Sequence, residues 1–167
     1  MLSFEVLGSG SRARIVAAML GLGLLAGCQA QPLYGSMQGQ QQSISVSEAD
    51  SRVEQVVRNE LVLGFGGEQH NTAYTLDLTV TSATAGLLPG GIDNEFSAAR
   101  TTVTAAYVLK SASTGETVKS GSRFVDAQVD LPSQNFAQER AKLEAEDRAA
   151  RQVAGLVRAD IAAALAR

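Results

Sequence analysis

The sequence is short of almost every residue that builds metal or thiol chemistry. One cysteine, Cys28, rules out an intramolecular disulfide and a cysteine-based metal cluster. One histidine, His70, rules out a histidine-rich metal site; it falls in the turn-like stretch FGGEQHNT and reads as a solvated turn residue. Tryptophan is absent and only 3 prolines interrupt 167 residues, while 45% of the chain is hydrophobic, so the composition is that of an ordinary folded domain rather than a disordered tail. A net charge of -3 is too small, and of the wrong sign, for a protein held to nucleic acid by phosphate contacts. No apolar run is long enough for a membrane span: Ile15 to Gly27 is the longest, thirteen residues without a charge. As a helix that run would rise about 20 Å, against a hydrocarbon core of roughly 30 Å.

What stands around that run is informative. Arg12 and Arg14 precede it, and Leu25-Ala26-Gly27-Cys28 closes it, with the small Ala26 and Gly27 suited to a peptidase cleft. This is the layout of a cleaved secretory signal over residues 1–27, and its end resembles the lipobox of bacterial lipoproteins. The resemblance implies that the Cys28 thiol receives a diacylglyceryl group and that cleavage makes Cys28 the first residue of the mature chain. A further acyl chain such as palmitate would then be added to the new amine. Each buried methylene adds about 0.8 kcal/mol, so two or three chains hold essentially permanently where one does not. Gln29, rather than Asp, follows the cysteine, which by the same resemblance leaves the protein free to travel to the outer membrane.

Removing residues 1–27 takes away Arg12, Arg14 and Glu5 and leaves 12 basic and 16 acidic residues, a net of -4. Residues 28–43 are rich in Gln, Gly and Ser without periodicity and read as a lipidated tether. Residues 44–167 form a single domain. Ile44-Ser45-Val46 alternates as a short strand, and Ser47 with Asp50 predicts a helix start. Ala49, Val53, Val56, Val57 and Leu61 make one stripe of a helix ending at Gly64, with Arg52, Glu54, Arg58 and Glu60 off it. The glycines of LGFGGEQ follow a helix, lack the G-x-G-x-x-G spacing and lack lysine, so they do not form a phosphate loop.

TAYTLDLTVT alternates cleanly, with Tyr74, Leu76, Leu78 and Val80 on one face and threonines and Asp77 on the other. GLLPGGIDNEF reads as a loop. RTTVTAAYVLK repeats the alternation, STGE at 113–116 turns the chain, and TVKSGSRFVDAQVD forms a third long strand with a bulge or bend expected near Gly121. Pro132-Ser133 opens a long helix with Phe136, Leu143, Ala150, Val153, Val157, Ile161 and Leu165 on one stripe. The predicted fold is α+β in the order β-α-β-β-β-α, a two-layer sandwich of a four-stranded, mostly antiparallel sheet with both helices on one face.

No motif supports catalysis: G-x-S-x-G, H-E-x-x-H and cysteine–histidine arrangements are all missing. The acids of ERAKLEAEDR interleave with bases at helical spacing and describe a salt-bridged helix face. The expectation is a protein that is not an enzyme and uses no metal or cofactor beyond the lipid on Cys28. Arg100, Lys110, Lys119 and Arg123 lie close to the sheet and are candidate contacts for phosphorylated sugar or lipid head groups, or else ordinary solvated charges.

Pro32-Leu33-Tyr34-Gly35 just behind the lipobox, followed by one helix, a three-strand meander and an Ala-rich C-terminal helix, resembles the LPS-assembly lipoprotein LptE family. RVEQVVRNEL and ARTTVTAAYVLKSASTGETV look like that family's first helix and central hairpin, whereas Gln29-Ala30 departs from its usual Gly-Phe. The resemblance implies an outer-membrane lipoprotein that plugs the β-barrel protein LptD, assists the barrel's assembly and helps carry lipopolysaccharide to the outer leaflet, its domain inside the barrel or facing the periplasm. Lipidation on its own fits equally an auxiliary lipoprotein of another envelope transport or secretion system.

Overall fold

A computed structural model of the chain describes residues 43–90 and 95–166. The signal segment 1–27, Cys28 and the tether up to residue 42 lie outside the described residues. Within them the order is β1 (Ile44–Val46), α1 (Arg52–Gly64), β2 (Tyr74–Gly90), β3 (Glu95–Ser111), β4 (Thr117–Asp130) and α2 (Asn135–Leu165). The sheet runs β1-β2-β3-β4, with β1 parallel to β2 and the other pairs antiparallel. This is the predicted α+β arrangement.

Alternation along the strands decides which face is buried. Leu76, Leu78 and Val80 of β2 stand opposite Leu109, Tyr107 and Ala105 of β3, and all six are buried. Val53, Val57 and Leu61 of α1, with Val153, Val157 and Ile161 of α2, close over that face to complete one core. The two helices lie side by side, clasped at one end where Arg52 of α1 reaches Glu146 at 3.2 Å and Asp147 at 2.8 Å on α2.

Several boundaries differ from the sequence expectation, each for a physical reason. The helix cap is Ser51, whose Oγ accepts the Glu54 amide at 3.3 Å, and not Ser47. Only the serine half of a capping box forms, because the Glu54 carboxylate turns to the sheet, and the cap at Ser51 leaves Ala49 outside the helix. Ser47 serves the sheet instead: its Oγ accepts the Leu78 N–H at 3.1 Å. Glu54 belongs to the buried side of α1, only 4% exposed, because its Oε2 accepts the Val80 N–H at 3.3 Å. β1 is three residues long, and these two side chains carry the edge of β2 onward where it stops.

The stretch GLLPGGIDNEF is not a loop throughout. β2 continues to Gly90 and β3 begins at Glu95, with register shifts at Gly86/Leu88 and Leu88/Pro89. Backbone pairing across the hairpin extends through residues whose own strand propensity is low. The bulge in β4 falls opposite Leu109/Lys110, next to Val118, rather than at Gly121. Gly121 instead makes room: a Cβ there would lie 2.8 Å from the Tyr107 hydroxyl oxygen that crosses over it. Finally, α2 starts at Asn135, and among the described residues the first part of its stripe is left uncovered. Phe136 is 80% and Leu143 40% exposed, and burial begins at Ala145. Among the described residues no helix is long and apolar enough to cross a membrane.

Candidate functional site

Among the described residues, the face of the sheet away from the helices is left uncovered. On it stand Thr75, Asp77, Thr79 and Thr81 of β2, the even-numbered side chains of β3 from Arg100 to Lys110, and those of β4 from Ser120 to Gln128; none of them is buried. Its middle is uncharged, made of threonine and serine hydroxyls around Ala106 and Phe124, the latter 65% exposed. Charges occupy the two ends and are paired across strands. Lys110 meets Asp77 at 2.7 Å, while Arg100 meets Asp126 at 3.8 Å, and Thr102 also donates to Asp126. A shallow depression at the Arg100 end is lined by Leu87, Ala98, Gln128, Val129 and Asp130.

The four basic candidates do not meet in one patch. Arg100 and Lys110 share the open face but stand ten residues apart on β3, about 33 Å along the strand. Lys119 and Arg123 lie opposite Leu109 and Ala105 and so belong to the helix side of β4. Arg123 is held there by Asp160 of α2, with Nε to Oδ2 at 2.7 Å and Nη2 to Oδ1 at 2.8 Å. Tyr107 donates to the same carboxylate at 2.8 Å. Lys119 makes no ion pair among the described residues, yet it is near enough to Asp160 to act on its titration.

This clasp of Tyr107, Asp160 and Arg123 joins β3, β4 and α2, and it shapes the acidity of its members. The hydrogen bond from Arg123 holds the Asp160 carboxyl below the usual carboxylate range, against the desolvation that would raise it. Burial, then the hydrogen bond to Asp160, pushes the Tyr107 phenol up to about 12. The same carboxylate raises Arg123. Sequence reasoning missed Asp160, which lies on another element 37 residues from Arg123. The turn at 113–116 does set a hairpin register that puts Gly121 beside Tyr107, which was the available signal. His70 is exposed in the loop between α1 and β2, and among the described residues no group of three acidic, histidine or cysteine side chains is placed to hold a metal ion.

A two-layer α+β domain of this order is an architecture found among bacterial lipoproteins. Among solved structures it is similar to a candidate lipoprotein from Caulobacter crescentus, at 22% identity and a TM-score of 0.64, covering 78% of this chain and 96% of that one. It is also similar to rare lipoprotein B from Shewanella oneidensis, at 13% identity and a TM-score of 0.54, over 72% of this chain and 92% of that one. A minor lipoprotein from Acinetobacter baumannii matches at 12% identity and a TM-score of 0.54, over 72% and 89% of the two chains. At these identities what is shared is the fold. No family model and no curated protein matches the sequence.

Proposed function

We propose that the protein is an outer-membrane lipoprotein, anchored by acyl chains on Cys28, that occupies the lumen of the LptD β-barrel. There it assists the barrel's assembly and takes part in delivering lipopolysaccharide to the outer leaflet, with no catalytic step of its own. The observation that carries this reading is a coincidence of two independent features. A lipobox with Pro32-Leu33-Tyr34-Gly35 behind it precedes a domain whose fold is shared with rare lipoprotein B, an LptE-like fold. The open hydroxyl face supports it, since a wet barrel interior is where a folded domain can bury polar surface without leaving it unpaired.

Lys119, on the helix side of β4 and without an ion pair among the described residues, is the proposed contact for lipopolysaccharide phosphates. Charge reversal by Lys119→Glu weakens lipopolysaccharide binding, and unchanged binding removes that contact from the reading. The function itself is tested by isolating the lipidated chain from outer membranes in mild detergent. Recovery of a large β-barrel in about equal amount is expected, whereas recovery of inner-membrane transporter subunits with no barrel overturns it.

A further inference from the structure

Resting on that reading, we infer that the open sheet face is the surface that seats against the barrel, through a wall of uncharged hydrogen-bonding side chains, with Phe124 as its anchor. Size is the first argument. Three strands about 4.8 Å apart, followed for the twelve steps from Thr75 to Leu87 at about 3.3 Å each, give a field of roughly 600 Å². With side-chain relief added, that approaches the roughly 800 Å² each partner contributes to a stable protein interface.

Charge is the second argument, and it selects the occupant. Both cations on the face are already neutralised, Lys110 by Asp77 and Arg100 by Asp126, so no free positive charge is offered to anionic head groups. The charged pairs stand toward the ends of the face, and the middle offers hydroxyls that both donate and accept. A hydrocarbon surface would strand those hydroxyls without partners. A strongly charged protein surface would find nothing to pair with. An uncharged polar protein wall satisfies both conditions.

Phe124 supplies the energy that hydroxyls alone do not. It stands 65% exposed beside Thr104, flanked along β4 by Ser122 and Asp126. A large exposed apolar side chain set beside polar neighbours is of the kind that anchors an interface. The two apolar side chains more exposed than Phe124, Leu63 and Phe136, belong to the helical layer and lie on different helices.

The test uses the full lipidated chain in cells, with a photo-crosslinking phenylalanine analogue placed singly at Thr79, Thr104 or Ser122 on the open face, and at Gln55, Asn59 or Gln152 on the helical layer. Adducts with the barrel from the open-face positions are expected. In parallel, Phe124→Thr, which keeps a strand-forming residue at an exposed position, should lower barrel recovery at least about tenfold while the circular-dichroism melting curve is unchanged. Adducts with the barrel from the helical layer alone, adducts from the open face with lipid alone, or full recovery with Phe124→Thr each overturn the docking face while leaving the proposed function standing. A wild-type chain that brings down no barrel refutes the function and this docking with it.

Discussion

Replacing Asp160 by alanine should destabilise the domain by about 2 kcal/mol, with most of the effect arising from a tyrosine rather than from the visible ion pair. Tyr107 is 2% exposed, and its hydroxyl donates to Asp160 at 2.8 Å. Removing the acceptor strands a buried donor, which costs about 1–3 kcal/mol. The Arg123 side chain is 49% exposed, so water replaces most of what it loses, and that part amounts to about 0.5 kcal/mol. For a domain of this length, 2 kcal/mol corresponds to a fall in melting temperature of roughly 7 °C. Thermal unfolding followed by circular dichroism should rank Asp160→Ala as the most damaging, then Tyr107→Phe at about 1 kcal/mol, then Arg123→Ala. If Arg123→Ala matches Asp160→Ala, the buried hydrogen bond is not the dominant interaction and the reasoning fails.

The same clasp sets a pH dependence of known sign. Asp160 is held below its ordinary value of 3.8, so the unfolded chain binds its proton more readily than the folded one. Its contribution is therefore present above about pH 4 and is lost as pH falls through the lowered value. Tyr107 is raised from 10.0 to about 12, so its contribution is complete below pH 10 and is lost as pH rises through 12. The stability gap between wild type and Asp160→Ala should accordingly be full at pH 7 and shrink below pH 4; a gap that widens in acid contradicts the assignment.

Glu54→Ala should cost about 1–3 kcal/mol by leaving the Val80 amide unpaired, and Glu54→Gln, which keeps an acceptor, should recover most of that in urea titrations. Leu61→Ala, at a fully buried position, should cost about 2–5 kcal/mol, while Phe136→Ser should stay within about 0.5 kcal/mol despite lying on the apolar stripe of α2. Cys28→Ser should abolish incorporation of radiolabelled palmitate and release the chain from the membrane fraction; a labelled serine variant would disprove the lipobox assignment.

The parts of this fold legible in the sequence are those governed by strict periodicity. Two-residue alternation placed Leu76 to Val80 and Val103 to Leu109 on the buried face, and β4 begins at Thr117 and ends at Asp130 as its pattern predicts. Where two local signals competed, only tertiary contact could choose. Ser47-x-x-Asp50 and Ser51-x-x-Glu54 are both plausible helix starts, and the need of the β2 edge for a hydroxyl at Ser47 decides between them. Phe136 and Leu143 extend the stripe of α2 without being buried, because helical periodicity records which side of a helix is apolar and not how far its neighbours reach. Charge placement was the least legible. Parity within the hairpin separates Arg100 and Lys110 from Lys119 and Arg123, but their acidic partners Asp77, Asp126 and Asp160 are visible only in three dimensions.

The brevity of β1 has a mechanical consequence. The chain enters the domain at Ser43, whose carbonyl accepts the Tyr74 N–H at 3.1 Å and whose hydroxyl accepts the Ala73 N–H at 3.3 Å, and it then runs parallel to β2. A lengthwise pull on the N-terminal side therefore shears β1 along β2, loading its rungs together instead of unzipping them one by one. The Ser47 N–H to the Leu76 carbonyl, the Ser47 hydroxyl and the Glu54 carboxylate continue that line of bonds past the end of the strand. A three-residue strand thus grips as a longer one would, at the point where a lipid-anchored chain would carry tension from its membrane into its fold.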